Sequence, residues 1–219
     1  MDHASRLVIQ AAAPSVSYVE GDPPLSLAVV TKMLERLRAY AAHDDPTTAA
    51  ANLVAIVVAA NGPFYPLYVV AQLGGAGLPA FITMLASPFF AAVPWIARRS
   101  GVAGRLALPL IGTLDTFWCV KLFGPAAGMV LFALPCVVLA ALLHRPGETW
   151  LRLALLAVAI APVLLPGSIY GPPLISLSPD QAAGFAVINL ISVAMLLGLI
   201  ALQFATVLRN SGPAAAREP

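Results

Sequence analysis

Between Ala49 and Leu208 hardly any polar run is long enough to reach water and return. Apolar stretches follow one another at approximately 49–72, 76–97, 104–123, 127–143, 150–166 and 180–208, parted only by glycine, proline or basic clusters. An α-helix needs about 20 apolar residues to cross a bilayer, so the pattern predicts six crossings joined by short loops. Composition agrees: 60% of the residues are hydrophobic and 10% charged, against roughly 45–50% and 25% in a soluble domain. This excludes a soluble enzyme, and it excludes a disordered chain, which needs low hydrophobicity and high charge. Two cysteines cannot make a disulfide scaffold. The expected fold class is all-α, a polytopic integral membrane protein with six transmembrane helices.

The joins alternate in charge. Arg98-Arg99-Ser100-Gly101, with Arg105 behind it, and His144-Arg145-Pro146-Gly147-Glu148, with Arg152 behind it, are basic. The joins at 72–77 and 123–128 carry no charge beyond nearby Lys121, and 167–181 carries only Asp180. Lys and Arg concentrate in cytoplasmic loops, which places both termini and the two basic joins in the cytoplasm, with Arg209 at the inner end of the last helix. Residues 1–47 read as a cytoplasmic segment, 48–208 as the bundle and 209–219 as a short disordered tail. No signal peptide opens the chain, since the region where cleavage is expected reads Tyr18-Val19-Glu20-Gly21-Asp22-Pro23-Pro24. The N-terminus is therefore expected to be retained.

Within that segment Leu27, Val30, Leu34, Leu37 and Ala41 recur at helical spacing opposite Lys32, Glu35, Arg36 and Arg38. The spacing predicts an amphipathic helix over about 25–42, which serves either signalling and dimerisation or contact with the cytoplasmic membrane interface. At the other end of the chain, Ser178-Pro179-Asp180-Gln181 combines an N-cap hydroxyl, proline at the first position and a capping-box glutamine. Running to about Leu208, the helix it opens is ~45 Å long at 1.5 Å per residue, more than the ~30 Å hydrocarbon core requires. It alone lacks an internal proline; Pro63, Pro66, Pro79, Pro88, Pro94, Pro109, Pro135 and Pro162 mark the others and predict bent helices.

A polar group at mid-membrane needs a partner or a purpose. Asp115 lies ten residues beyond Arg105, ~15 Å at helical rise and near the midplane, where a charged Asp costs roughly 2.5–3.5 kcal/mol. It must be protonated, face a polar cavity or have a donor partner. Trp118 and Cys119 lie one turn away, while Lys121 falls near the outer end, where it can snorkel. Asn61-Gly62-Pro63-Phe64-Tyr65-Pro66-Leu67-Tyr68 interrupts the first helix at an estimated similar depth. Discontinuous helices carry ligand sites in transporters, so Asn61, Tyr65, Tyr68, Asp115 and Trp118 are the candidate ligand-binding residues. The alternative is a kink with aromatic rings turned toward headgroups.

Other features read as structural. Gly124 and Gly128 form a GxxxG suited to close helix packing, and Asn52, Gln72, Asn189 and Gln203 are amides suited to bonding a neighbouring helix. Cys119 and Cys136 differ in depth by about 8 Å at helical rise, too far for a disulfide, and read as free thiols. His3, His43 and His144 all fall outside the bundle, so neither a haem nor a metal site is expected. There is no phosphate loop, GxSxG, HExxH or nucleic-acid patch. The expectation is a non-enzyme that uses no cofactor and binds no nucleic acid. Abundant Ala, Leu and Pro with two Lys suggest a GC-rich bacterial source, and hence the cytoplasmic (inner) membrane.

Asn61-Gly62-Pro63-Phe64-Tyr65-Pro66, Gly112-Thr113-Leu114-Asp115-Thr116, Leu122-Phe123-Gly124 with Ala127-Gly128, and Leu134-Pro135 stand in an order and spacing that carry a further implication. From Asn52 to about Arg152 the sequence resembles the six-helix membrane anchors that precede class III adenylate cyclase domains and some sensor histidine kinases, including quorum-sensing receptor kinases. The resemblance implies a bundle that perceives a small or lipophilic ligand and passes its state through the last helix to a cytoplasmic output domain. Asp115 stands where that pattern carries an uncharged polar residue. After Leu208 the sequence reads Arg209-Asn210-Ser211-Gly212-Pro213 and a short Ala-rich tail, so the expectation is either an isolated receptor part or signalling to a separate effector of cyclase or kinase type; the other expected partners are the lipid bilayer and, as alternatives, membrane-complex subunits or a second copy in a homodimer.

Two other functions stay open. One is a small transporter or proton-coupled carrier using Asp115, although the first three helices do not match the last three as alternating-access halves do. The other is a non-catalytic structural subunit of a larger membrane complex.

Overall fold

The computed structural model describes residues 25–143 and 147–210. The segment before Leu25, the basic cluster His144-Arg145-Pro146 and the tail beyond Asn210 lie outside the described residues, and with them the readings made there. Every element among the described residues is helical: α1 (Leu25–Ala41), α2 (Pro46–Asn61), α3 (Phe64–Leu73), α4 (Ser87–Arg99), α5 (Gly101–Phe123), α6 (Ala133–Leu142), α7 (Thr149–Leu164), the short α8 (Gly167–Tyr170) and α9 (Pro179–Asn210). Three 3-10 segments, Gly74–Ala86, Pro125–Ala127 and Met129–Phe132, lie between them.

The chain divides into two compact units, Met1–Arg36 and Leu37–Pro219. In the first, α1 leaves its apolar side uncovered, with Val29, Val30 and Met33 all exposed. The second holds the bundle. Three helical runs, Pro46–Arg99, Gly101–Phe123 and Pro179–Arg209, are long and apolar enough to cross a membrane, and Met129–Leu142 and Thr149–Leu164 are shorter apolar helices. Large apolar side chains face away from the bundle on all sides: Leu114 is 67% exposed, Met195 73% and Leu202 69%. In water such a surface would drive aggregation; lipid is the solvent it fits.

The run Pro46–Arg99 is a hairpin rather than one rod. Gly74, at φ 59°, breaks the chain direction, and the partners on either side pair in antiparallel order. Gly77 packs on the Val69 backbone and Gly62 on Ser87, and Tyr40 donates to the Ala91 carbonyl at 3.0 Å. The second half of the hairpin departs from the expected continuous helix, because Gly74–Ala86 is 3-10 over 13 residues. Such runs rarely exceed three or four residues; here the sequence Gly-Gly-Ala-Gly-Leu-Pro has low α propensity and Pro79 removes a backbone donor.

Two further expectations change. At Asn61–Tyr68 the first helix hardly breaks, because Gly62 (φ −49°, ψ −43°) and Pro63 (φ −68°, ψ −24°) both keep helical angles. The Gly124/Gly128 pair is no helix-packing stripe: both residues have positive φ, at 79° and 77°, and flank the 3-10 turn Pro125–Ala127. Gly128 nevertheless permits a close approach, since a Cβ there would stand 3.0 Å from Cα of Ala186 on α9.

Two packed regions result. At the end of the bundle carrying Arg98, Arg99 and Arg105, here the basic end, Ala50, Ala51, Val54 and Ala55 of α2 meet Phe90, Val93, Leu108, Leu139, Ile200 and Phe204. The small alanines let the helix backbones come close. At the opposite, far end Val69, Val120, Phe123, Met129, Tyr170 and Phe185 form a second, more aromatic cluster. α9 contributes to both, and it opens on the expected capping box: Ser178 N donates to Gln181 Oε1 at 2.9 Å and Gln181 N to Ser178 Oγ at 3.2 Å.

Candidate functional site

Charge is concentrated at the basic end. Arg105, 3% exposed, reaches Glu148 Oε1 at 2.8 Å and Asp45 Oδ2 at 3.6 Å, while its Nε has no partner. Asp45 also caps α2, accepting from Thr48 N at 3.3 Å, and Glu148 stands at the start of α7. One guanidinium thus ties together the N-terminal ends of α2, α5 and α7. A cation so placed is held only while both carboxylates face it. This is a clamp between helix starts.

The far end holds a different set of polar groups. Asn189, fully buried on α9, donates from Nδ2 to the Ala127 carbonyl at 2.7 Å and to Met129 Sδ at 3.6 Å. Its Oδ1 is without a hydrogen bond. The Tyr65 hydroxyl comes to 4.0 Å from the same sulfur, and its ring meets Phe123 edge to face at 5.6 Å. Tyr68 meets Phe185 in the same manner at 5.7 Å. Beside that pair opens a groove of about 250 Å³ lined by Tyr68, Gln72, Asp180, Gln181, Gly184 and Phe185. It joins the last turns of α3 to the first turns of α9. Across the same end the 167–178 segment folds back on α5: Leu174 N and Ile175 N donate to the Lys121 and Leu122 carbonyls, and Lys121 Nζ donates to the Pro172 carbonyl at 2.8 Å. Lys121 therefore has a protein partner beyond any snorkelling.

The five candidate residues do not line a single cavity. Tyr65 and Tyr68 pack against the far cluster, and Tyr68 alone of the five lines the far groove. Asp115 is half-buried and accepts from the Cys119 thiol at 3.7 Å, one turn along its own helix. Trp118 is 38% exposed and Asn61 is exposed, on the outside of the bundle. Nor do the two stretches share a depth. Asp45 lies against Arg105 and Tyr65 against Phe123, so α2–α3 runs parallel to α5 and Asn61 comes level with about residue 119, one helical turn beyond Asp115.

Gln72, Asp180 and Phe185 joined the groove unannounced. Asp180 and Gln181 read from sequence as helix-capping residues, and nothing local says that α3 will end beside them. The amides Asn52 and Asn189 do bond across elements, each to the last carbonyl of a helical turn: Asn52 Nδ2 donates to Ala41 O at 3.0 Å. Cys119 and Cys136 are free thiols.

Among the described residues every element is helical, and three helical runs are long and apolar enough to cross a membrane. A scan against protein-family models and searches among characterised proteins and solved structures match nothing to this chain. Its functional reading therefore rests on its own residues.

Proposed function

We propose that this protein is a sensor of the bacterial inner membrane, crossing it six times with both termini in the cytoplasm. It binds a small lipophilic molecule and signals to a separate cytoplasmic partner through α9. In this reading the hairpin folded at Gly74 supplies two crossings, the helices on either side of Gly124 two more, and α7 and α9 the last pair. The basic end is cytoplasmic by the distribution of arginine.

One observation carries the sensor reading. α9 is a single 32-residue helix with no proline after its first residue, Pro179, that contributes Gln181, Gly184 and Phe185 to the far groove and Ile200 and Phe204 to the core at the basic end. A ligand that spreads Tyr68 from Phe185 moves one end of a rod whose other end lies at the cytoplasmic face, and differential binding to the two positions shifts their populations. The groove suits a molecule with an apolar body and a hydrogen-bond-donating or cationic head, taken by Asp180 and Gln72. This moves the ligand from the midplane to the membrane boundary.

The test is purification of the full-length protein from its native membrane in mild detergent, with mass spectrometry of co-purifying proteins and small molecules. The expected result is an effector of cyclase or kinase type together with a small molecule that Tyr68→Ala fails to retain. Recovery only among other membrane subunits would make the protein structural, and recovery alone would favour a carrier. Alkaline phosphatase fused after Gly75 should be active and after Ser100 inactive; the reverse would overturn the orientation.

A further inference from the structure

A second groove, of about 270 Å³, lies at the basic end where the last turn of α1, the first turn of α2 and the last turns of α9 meet. Its character changes along its length. Ala49, Leu53 and Val207 make an apolar floor, while Arg38, Gln203 and Thr206 present polar groups. Arg209 stands beside it, donating from Nη2 to Thr206 Oγ1 at 3.2 Å. None of the residues lining the groove is acidic; Asp45, which precedes its Pro46, is engaged by Arg105.

Three other arginines at this end of the bundle, Arg98, Arg99 and Arg105, have partners of their own. Arg105 is held by two carboxylates. Arg98 donates to the Tyr40 carbonyl at 2.6 Å and lies over the Tyr40 ring. Arg99 stacks on Trp95, its guanidinium carbon 3.7 Å from the ring centroid. Arg38 is exposed and makes no ion pair among the described residues.

We infer that this groove binds one anionic phospholipid from the leaflet at the basic end. The phosphate sits between Arg38, Thr206 and Arg209, and the first methylenes of an acyl chain lie along Ala49, Leu53 and Val207. A soluble phosphate would leave the apolar floor unused, and an uncharged lipid would leave the arginines unanswered. The lipid fastens α9 to α1 and α2 at the end opposite the ligand groove, and it binds whether or not a signalling partner exists.

The probe is phosphatidylglycerol, compared with phosphatidylethanolamine, on the full-length protein followed by native mass spectrometry. One phosphatidylglycerol should survive on the wild-type protein, and Arg38→Gln should weaken its retention about fivefold, the worth of one basic residue at an anionic surface. Arg99→Gln, which removes a charge from the same end but outside the groove, should leave retention unchanged. Thr206→Val should weaken it without altering net charge. Equal losses in Arg38→Gln and Arg99→Gln would reduce the effect to general attraction and overturn the site. So would equal retention of phosphatidylethanolamine, or displacement of phosphatidylglycerol by millimolar inorganic phosphate.

Discussion

The two ends of this bundle are held by opposite means. At the basic end the chain is α-helical, the core is largely alanine, valine and leucine, and one buried arginine joins three helix starts. At the far end the chain turns through glycines with positive φ, descends in 3-10 geometry at Gly74–Ala86 and Met129–Phe132, and packs aromatic rings edge to face. Regular helices with an ionic clamp resist displacement. The 3-10 segments have poorer hydrogen bonds. α9 passes through both regions, and the proposed sensor would use it as a rod fixed at one end and adjustable at the other.

The clamp gives the largest expected effect. Arg105→Met leaves Asp45 and Glu148 facing each other without their cation, and breaking a buried pair in this way costs about 3–5 kcal/mol. Asp45 and Glu148 are 17% and 24% exposed, which puts the loss near about 3 kcal/mol, while Arg105→Lys should recover part of it. Thermal unfolding in detergent measures both. A loss under about 1 kcal/mol would show that the basic end is held by its alanine packing, and the contrast between the ends would fail.

Next come the glycine turns. Gly128→Ala forces a Cβ into left-handed backbone, worth about 1–2 kcal/mol, and sets it 3.0 Å from Cα of Ala186. Gly74→Ala meets nothing within 4 Å, but its backbone at φ 59° and ψ −139° lies outside the left-handed basin, where an alanine costs about 1–3 kcal/mol. Both variants should therefore lower the melting temperature, Gly74→Ala through backbone strain alone and Gly128→Ala through strain and the contact with α9. A loss at Gly128→Ala no greater than the left-handed strain alone, about 1–2 kcal/mol, would mean that α9 moves aside at no cost, sharpening the view of the far end as the adjustable one.

Smaller still are the two buried amides. Asn52→Leu at the basic end and Asn189→Leu at the far end each remove one hydrogen bond to a terminal carbonyl, a change of about 0.6 kcal/mol and at most about 1.7 kcal/mol in a membrane bundle. Each also removes an unpartnered buried Oδ1, which offsets part of the loss. Their stability effects should be alike, but only Asn189→Leu should alter retention of any small molecule that co-purifies with the wild type, since Asn189 lies one turn along α9 from Phe185 of the far groove.

How much of this could be read from the chain follows from the range of each signal. The apolar segments, the Ser178/Gln181 cap and the α1 stripe are local patterns, and the described residues there are helical, although the stretches expected at 76–97 and 127–143 begin in 3-10 rather than α geometry. The breaks were placed less well. Asn61-Gly62-Pro63 has the composition of a discontinuity, yet proline fits the first turn of a new helix, so α3 restarts at once. Gly74-Gly75-Ala76-Gly77 has the composition of a loop, yet it opens a 3-10 run in which Gly77 packs on the Val69 backbone. The groove and the Arg105 clamp need pairings across more than 40 residues, Asp45 with Arg105 and Tyr68 with Phe185. No local spacing encodes these.

The smallest expected effect falls at Asp115, between the two ends, and it separates two functions. Its hydrogen-bond donor is Cys119 on the same helix, so this bond holds no other helix in place, and Asp115→Asn, which keeps the side-chain shape, should change stability least of these variants. In a carrier that titrates this carboxyl, the same variant must abolish pH-dependent flux into proteoliposomes, because an amide cannot take up and release the proton. In a sensor worked through α9, the variant keeps its fold, its groove at Tyr68 and Phe185 and its effector. Measuring flux and effector recovery on one preparation of Asp115→Asn decides between them: flux lost with the effector absent makes this a carrier, whereas an effector retained in both proteins, with no flux in either, leaves the far groove as the working end.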